Sequence, residues 1–260
     1  MKRMVLTAAV LLSTTQVFAF DFMGPSTSTL KTFGQSSVAV EYFWGSMDID
    51  ADSIPEFGLL SDTIENVGFS KASANLTVGL GSGSEIFARL GVAQLEPDEG
   101  DNRVNVAGYV GCSDESFFAG GGAKWTLAEG QSTSWGLLTQ ASWVDFDFDG
   151  TRYSIGGHDV ASSTEVRFVE VQIATGPTID LAENMTVYGG PFLHFLTGDM
   201  DLEGTIDGLP ASIETDLDQE SILGGYIGTQ VGLGQNVGLN IEFQKTSGNF
   251  GVGGQLVWRF

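Results

Sequence analysis

Basic residues are scarce in this chain: 11 Lys and Arg stand against 33 Asp and Glu in 260 residues, a formal charge of −22. Such a chain has no electrostatic footprint for nucleic acid or for an anionic surface approached bare. Its one cysteine, Cys112, cannot form an internal disulfide, so a disulfide-stapled scaffold is excluded. The two histidines, His158 and His194, have no partner histidine at i+2 or i+4 with which to hold a metal. Six prolines against 36 glycines suit tight strand packing and turns, and glycine at that density does not suit helices. No apolar run reaches the roughly 20 residues that a membrane-spanning helix needs.

What is present begins with Met1-Lys2-Arg3, an apolar run to Leu12, and Val17-Phe18-Ala19. Early positive charge, a short apolar core and small residues before a cut make a secretory signal over residues 1–19, cleaved after Ala19. Cys112 is not at that cut, which argues against a lipid-anchored amino terminus. Residues 20–36 are rich in Ser and Thr, lack periodicity, and read as a periplasmic lead-in.

From residue 37 to 260 the pattern has period two. The last stretch carries it most plainly: Phe250, Val252, Gly254, Leu256, Trp258 and Phe260 alternate with Gly251, Gly253, Gln255, Val257 and Arg259. A strand puts successive side chains on opposite faces, so one face here is apolar and the other small or polar. Val38, Val40, Tyr42 and Trp44 repeat this against Ala39, Glu41 and Phe43, as do Ala72, Ala74, Leu76 and Val78 against Lys71, Ser73, Asn75 and Thr77. About ten such segments follow one another, joined alternately by long acidic stretches and by short turns such as Gly81-Ser82-Gly83-Ser84, except that the last connection, Ser247-Gly248, is short and falls outside this rule. Even strand number with short turns at one end and long loops at the other is the organisation of a transmembrane antiparallel up-and-down β-barrel, here all-β with periplasmic turns and longer external loops. Trp135 and Trp143 share a face eight positions apart. On a strand tilted near 40° that spans roughly 20 Å, close to the ~25 Å apolar band of such barrels.

The closing strand, with its terminal aromatic residue, resembles that of small bacterial outer-membrane β-barrels and minor porins. The resemblance implies the cell outer membrane as the location after signal cleavage, outer-membrane lipids and lipopolysaccharide as surroundings, and the barrel-assembly machinery as a partner through that strand. Trp44, Trp125, Trp135, Trp143, Trp258 and Phe260 are then expected as membrane girdle. Glu41, Arg89, Lys124, Gln140, Glu170, His194, Glu242 and Arg259 have the opposite parity and are expected to form a network across a narrow lumen.

Four ascending strands run from apolar residues into carboxylates of the same parity. Asp145, Asp147 and Asp149 follow Trp143; Asp199, Asp201 and Glu203 follow Phe195. This ladder reads either as a solvated rim that resists aggregation or as a weak external site for Ca²⁺ or Mg²⁺, bridging to lipopolysaccharide. An EF-hand is excluded, since the twelfth position counted from Asp145 is Gly156 rather than Glu. Neither histidine has a nucleophile motif beside it, so no enzyme is expected, an outer-membrane hydrolase being the weaker alternative. No resident cofactor is implied. A narrow small-solute porin and a structural surface protein remain open, with an adhesin or cation-bridging barrel as the alternative.

Overall fold

The computed structural model describes residues 20–51, 62–96, 115–155, 158–206, 209–218, 222–247 and 250–260. Its regular elements are strands: β1 (Ser36–Ala51), β2 (Asp62–Gly81), β3 (Ser84–Glu96), β4 (Ser116–Glu129), β5 (Thr133–Ile155), β6 (His158–Ala182), β7 (Met185–Ile206), β8 (Leu209–Asp218), β9 (Ile222–Gly232), β10 (Val237–Lys245) and β11 (Phe250–Arg259). Every pairing is antiparallel between neighbours. β1 pairs with β11 and β6 with β7, so the sheet closes on itself. Among the described residues ten strands make the wall of this closed barrel. β8 lies beyond it, on the upper part of β7, while β9 takes over on the lower part. Closure leaves the wall no free edge, which is what a sheet needs in hydrocarbon, where an unpaired N–H or C=O has no water to turn to.

One end of the wall has tight turns. Ser82 at φ 53° and Gly83 at φ 73° carry the chain from β2 to β3. At the same end Phe260 N–H donates to Ser36 O at 2.8 Å, tying the chain's end to the start of β1. At the other end the strands run on past the wall as hairpins. β5 and β6 stay paired out to Ile155 and His158, and β7 turns into β8 at Ile206 and Leu209. The stretches 149–164 and 201–219, expected as loops, are therefore largely strand. The alternation of β-prone and polar residues does not stop where the apolar band stops, and neither does the ladder. No helix among the described residues is long and apolar enough to cross a membrane.

Side-chain parity holds on every strand of the wall. Leu90 is 58 % exposed, Leu76 52 % and Val40 50 %, while their neighbours Arg89, Asn75 and Glu41 are buried. This is the inverse of a soluble barrel, with the apolar belt outside and the charges within. Trp135, on the belt, donates Nε1–H to Thr175 Oγ1 at 3.0 Å, so that its one polar atom has a partner on the outer face.

Candidate functional site

Inward parity gathers Glu41, Lys71, Glu85, Arg89, Lys124, Glu170 and Glu242 inside the barrel, each buried. A water-filled lumen would solvate such groups. Here it is occupied by the chain's own amino-terminal segment. Phe20, Asp21, Phe22, Met23, Ser26, Thr27, Ser28 and Leu30 are buried. The segment expected as a lead-in below the barrel thus runs through it. Its Ser, Thr and Gly residues lack periodicity because they follow the uneven inner surface rather than a strand ladder.

The segment is held at each level. Phe20 lies toward the hairpin end, its ring 6.3 Å from that of Phe69, 5.7 Å from Phe192 and 5.4 Å from the imidazole of His194. Asp21 Oδ1 is 2.7 Å from Lys71 Nζ, and Asp21 O accepts from Gln244 Nε2 at 2.8 Å. Phe22 O accepts from Arg89 Nη2 at 2.8 Å. Met23 and Gly24 donate their N–H groups to the two oxygens of Glu242, at 3.0 and 2.8 Å. Gly24 has φ 67°, a left-handed turn that glycine adopts without a Cβ penalty. Thr27 and Thr178 hydroxyls meet at 2.9 Å, and Ser28 N–H donates to Thr126 Oγ1 at 3.1 Å. Glu85 Oε2 then accepts from the N–H groups of Thr29 and Leu30 at 2.7 and 3.0 Å. Gly34 N–H reaches Gly79 O at 3.0 Å at the turn end, just before β1 begins. The wall makes room for this path at Gly136, where a Cβ would collide with the backbone of Ser26 and Thr27.

The charges form one connected set. Lys71 Nζ also lies 2.9 Å from Glu170 Oε2, and Glu170 Oε1 lies 3.0 Å from His194 Nε2. Arg89 stands between Asp21, at 3.5 Å, and Glu41, at 3.6 Å. Gln140 Nε2 donates to Gln172 Oε1. Lys71 and Arg89 also sit over the rings of Phe118 and Phe87, at 5.5 and 5.2 Å. Buried ion pairs roughly offset their own desolvation, so this set adds little net stability. Breaking one partner away is a different matter, costing about 3–5 kcal/mol. The network therefore specifies one path for the segment more than it strengthens the barrel. Beside that path a cavity of about 30 Å³ remains, lined by Glu41, Asn75, Glu85, Arg89, Lys124 and Arg259 among others. That is room for roughly one or two waters, not for a solute.

Glu41, Arg89, Lys124, Gln140, Glu170, His194 and Glu242 all lie in this lumen, and Arg259 is half-buried at its turn end. Lys71 and Glu85 join them, through inward parity that was visible in the strand pattern. Asp21 and the rest of the plug had no such signal. Trp44, Trp125, Trp135, Trp143 and Phe260 point outward, and Trp258, partly exposed, is paired with outward Val38. At the rim Arg167 is paired in register with Asp145 on one side and Asp199 on the other. Its Nε lies 2.9 Å from Glu165 Oε1 and 3.8 Å from Asp199 Oδ2, so a protein cation already stands among these acids. The side chains of Asp147, Asp149, Asp201 and Glu203, like those of His158 and Cys112, lie outside the described residues. Among the described residues no three His, Cys, Asp or Glu side chains converge as a metal site.

No family model matches the chain, and neither does any curated protein. Among solved structures it is similar to the outer membrane protease OmpT from Escherichia coli, with 10% identity over 93% of this chain and 99% of that one, at a TM-score of 0.52. It is also similar to the translocator domain of the autotransporter NalP from Neisseria meningitidis, with 14% identity over 89% and 90% of the two chains, at a TM-score of 0.51. At such identities the likeness is one of fold: this chain has the fold of bacterial outer-membrane β-barrels.

Proposed function

We propose that this protein is an integral outer-membrane β-barrel that seals its own lumen and serves as a structural surface protein, not as an open pore. The occupied lumen carries this reading. With Phe20 to Ser28 and Leu30 buried between the walls, the path through the barrel is closed to solutes. The outward belt, with Trp44, Trp125, Trp135, Trp143, Trp258 and Phe260 as girdle, meets the lipid and lipopolysaccharide. The closing strand β11 is the segment offered to the barrel-assembly machinery. The β5–β6 and β7–β8 hairpins stand outside as the exposed surface.

Likeness to a protease in fold does not carry over as activity. His194 is buried beneath Phe20 with its imidazole toward Glu170, out of reach of an external substrate. The acidic rim reads as a solvated collar: Arg167, in register with Asp145 and Asp199, brings a protein cation to Glu165 and Asp199. We therefore assign neither an enzymatic role nor a resident cation.

Conductance of the purified, signal-cleaved protein in a planar lipid bilayer tests the reading. It predicts a sealed bilayer with only rare, brief openings. Steady ion-selective conductance from the intact chain would support the small-solute porin instead.

A further inference from the structure

The amino-terminal segment enters the lumen at the turn end and points its first described residue, Phe20, toward the hairpins. Leu30 and Gly34 sit beside Gly79, the last part of β2, whereas Phe20 packs on Phe69, ten residues back along that strand. Ten residues of tilted strand amount to roughly 25 Å along the barrel axis. A chain still held at the inner membrane by its signal is tethered on the turn side, and it cannot also place Phe20 near the opposite mouth. Phe20 can climb there only as a free end.

The surroundings of Phe20 are those a free end would seek. Among the described residues the fully or nearly buried lumen groups include five carboxylates, Asp21, Glu41, Glu85, Glu170 and Glu242, against three cations, Lys71, Arg89 and Lys124. The shortfall is felt beside Phe20. Among the described residues Glu170 Oε1 and both ring nitrogens of His194 have no hydrogen-bond partner, although these side chains are 1 % and 0 % exposed. The 3.0 Å between Glu170 and His194 is close but not aligned as a hydrogen bond. Phe20 lies against that same imidazole, and the next residue, Asp21, shares Lys71 with Glu170. Buried charges of this kind are normally paired or hydrogen-bonded.

We infer that hydrolysis of the Ala19–Phe20 bond is what seats the plug, and that the α-ammonium of Phe20 is a working lumen cation paired with Glu170. The cut consumes one water: Ala19 leaves as a carboxylate, and the amine of Phe20 takes a proton. The amine exists only after export, so the lumen stays unsealed until processing is complete. The inference rests on the outer-membrane reading above, but it can fail while that reading stands.

The test uses the full chain exported and purified from outer membranes, with heat-modifiable gel mobility as the check that the barrel is folded. Intact mass should give a mature chain beginning at Phe20. An α-amine-selective acylating reagent should modify it at least about tenfold more slowly in the folded than in the unfolded protein, as for a group reached only through local opening. Insertion of two alanines between Ala19 and Phe20, keeping the cut after Ala19, moves the charge off Glu170; the amine should then label rapidly and bilayer conductance should rise. Glu170→Gln should speed labelling by about tenfold, as expected when a charge-assisted contact is lost. A mature chain starting elsewhere than Phe20 overturns the inference. So does rapid labelling of the folded native protein, or equal protection in the native, inserted and Glu170→Gln forms. Rapid labelling of a barrel that still does not conduct would sink this inference and leave the sealed-barrel reading intact.

Discussion

Gly24 N–H lies 2.8 Å from Glu242 Oε2, a hydrogen bond that joins positions 218 residues apart. The other oxygen of Glu242 takes Met23 N–H, and Gln244 Nε2 holds it from the side at 2.8 Å. One buried carboxylate on β10 thus fixes the turn of the plug. Replacing Glu242 by Ala leaves these buried donors without an acceptor, at about 1–3 kcal/mol apiece. The expected outcome is an intact barrel whose plug is weakened by about 2–4 kcal/mol. The measurement is the open fraction of single channels, which should rise by roughly 30-fold to 1,000-fold; an unchanged open fraction would mean that Glu242 does not hold the plug.

Gly136 makes a sharper case, because nothing polar is involved. Gly136→Val puts a residue that favours strands into a strand, so propensity alone predicts no harm. The added carbons, however, occupy the space of the Ser26 and Thr27 backbone. The plug should be expelled and the wall retained. In a Cys112→Ser background, Ser26→Cys should label slowly with a bulky maleimide when Gly136 is present. Adding Gly136→Val should speed that labelling at least about tenfold, again by the logic of local opening. Equal rates would place the segment elsewhere.

The belt is tested by charge. Leu90 is 58 % exposed on the outer face, between buried Arg89 and inward Gly91. Leu90→Arg should cost about 2–4 kcal/mol in reversible folding into bilayers, the range for arginine near the midplane. A cost near zero would mean that Leu90 meets water rather than lipid.

Arg167 sets the expectation at the rim. Its contacts to Glu165 and Asp199 are at half-exposed positions, so Arg167→Ala should change stability by no more than about 1 kcal/mol. Calorimetry with Ca²⁺ should give no saturable heat from the intact protein. Saturable binding that is lost on changing Asp145, Asp147 and Asp149 to Asn would restore the cation site.

The division of legible from illegible in this chain follows its periodicities. A period of two, kept from Val38 to Trp258, tells which residues meet lipid and which meet the lumen, since a one-residue slip would turn every apolar side chain inward. It also puts Lys71 and Glu85 inside, although what they hold is not visible in the pattern. Residues 20–34 carry no period, because an irregular segment bonded to side chains has none to show. The clue lies in the wall: inward Glu242 has no inward cation adjacent to it on its own strand and glycines, Gly228 and Gly253, opposite it on both neighbours, and a carboxylate so placed needs donors from somewhere else. The hairpins read as loops for the opposite reason. Their alternation is clear, but acids such as Asp199 and Asp201 look like loop composition, and the strand simply continues into water.

Disulfide trapping between Thr27 and Thr178 tests the central claim most directly. Their hydroxyl oxygens are 2.9 Å apart, one on the plug and one on the inner face of β6. In a Cys112→Ser background, Thr27→Cys and Thr178→Cys together should become cross-linked during export into an oxidising compartment, and the purified barrel should carry a bond between the two positions. Two free thiols at these positions in a folded, lipid-inserted barrel, with the plug thiol open to a maleimide from the turn side, would contradict it.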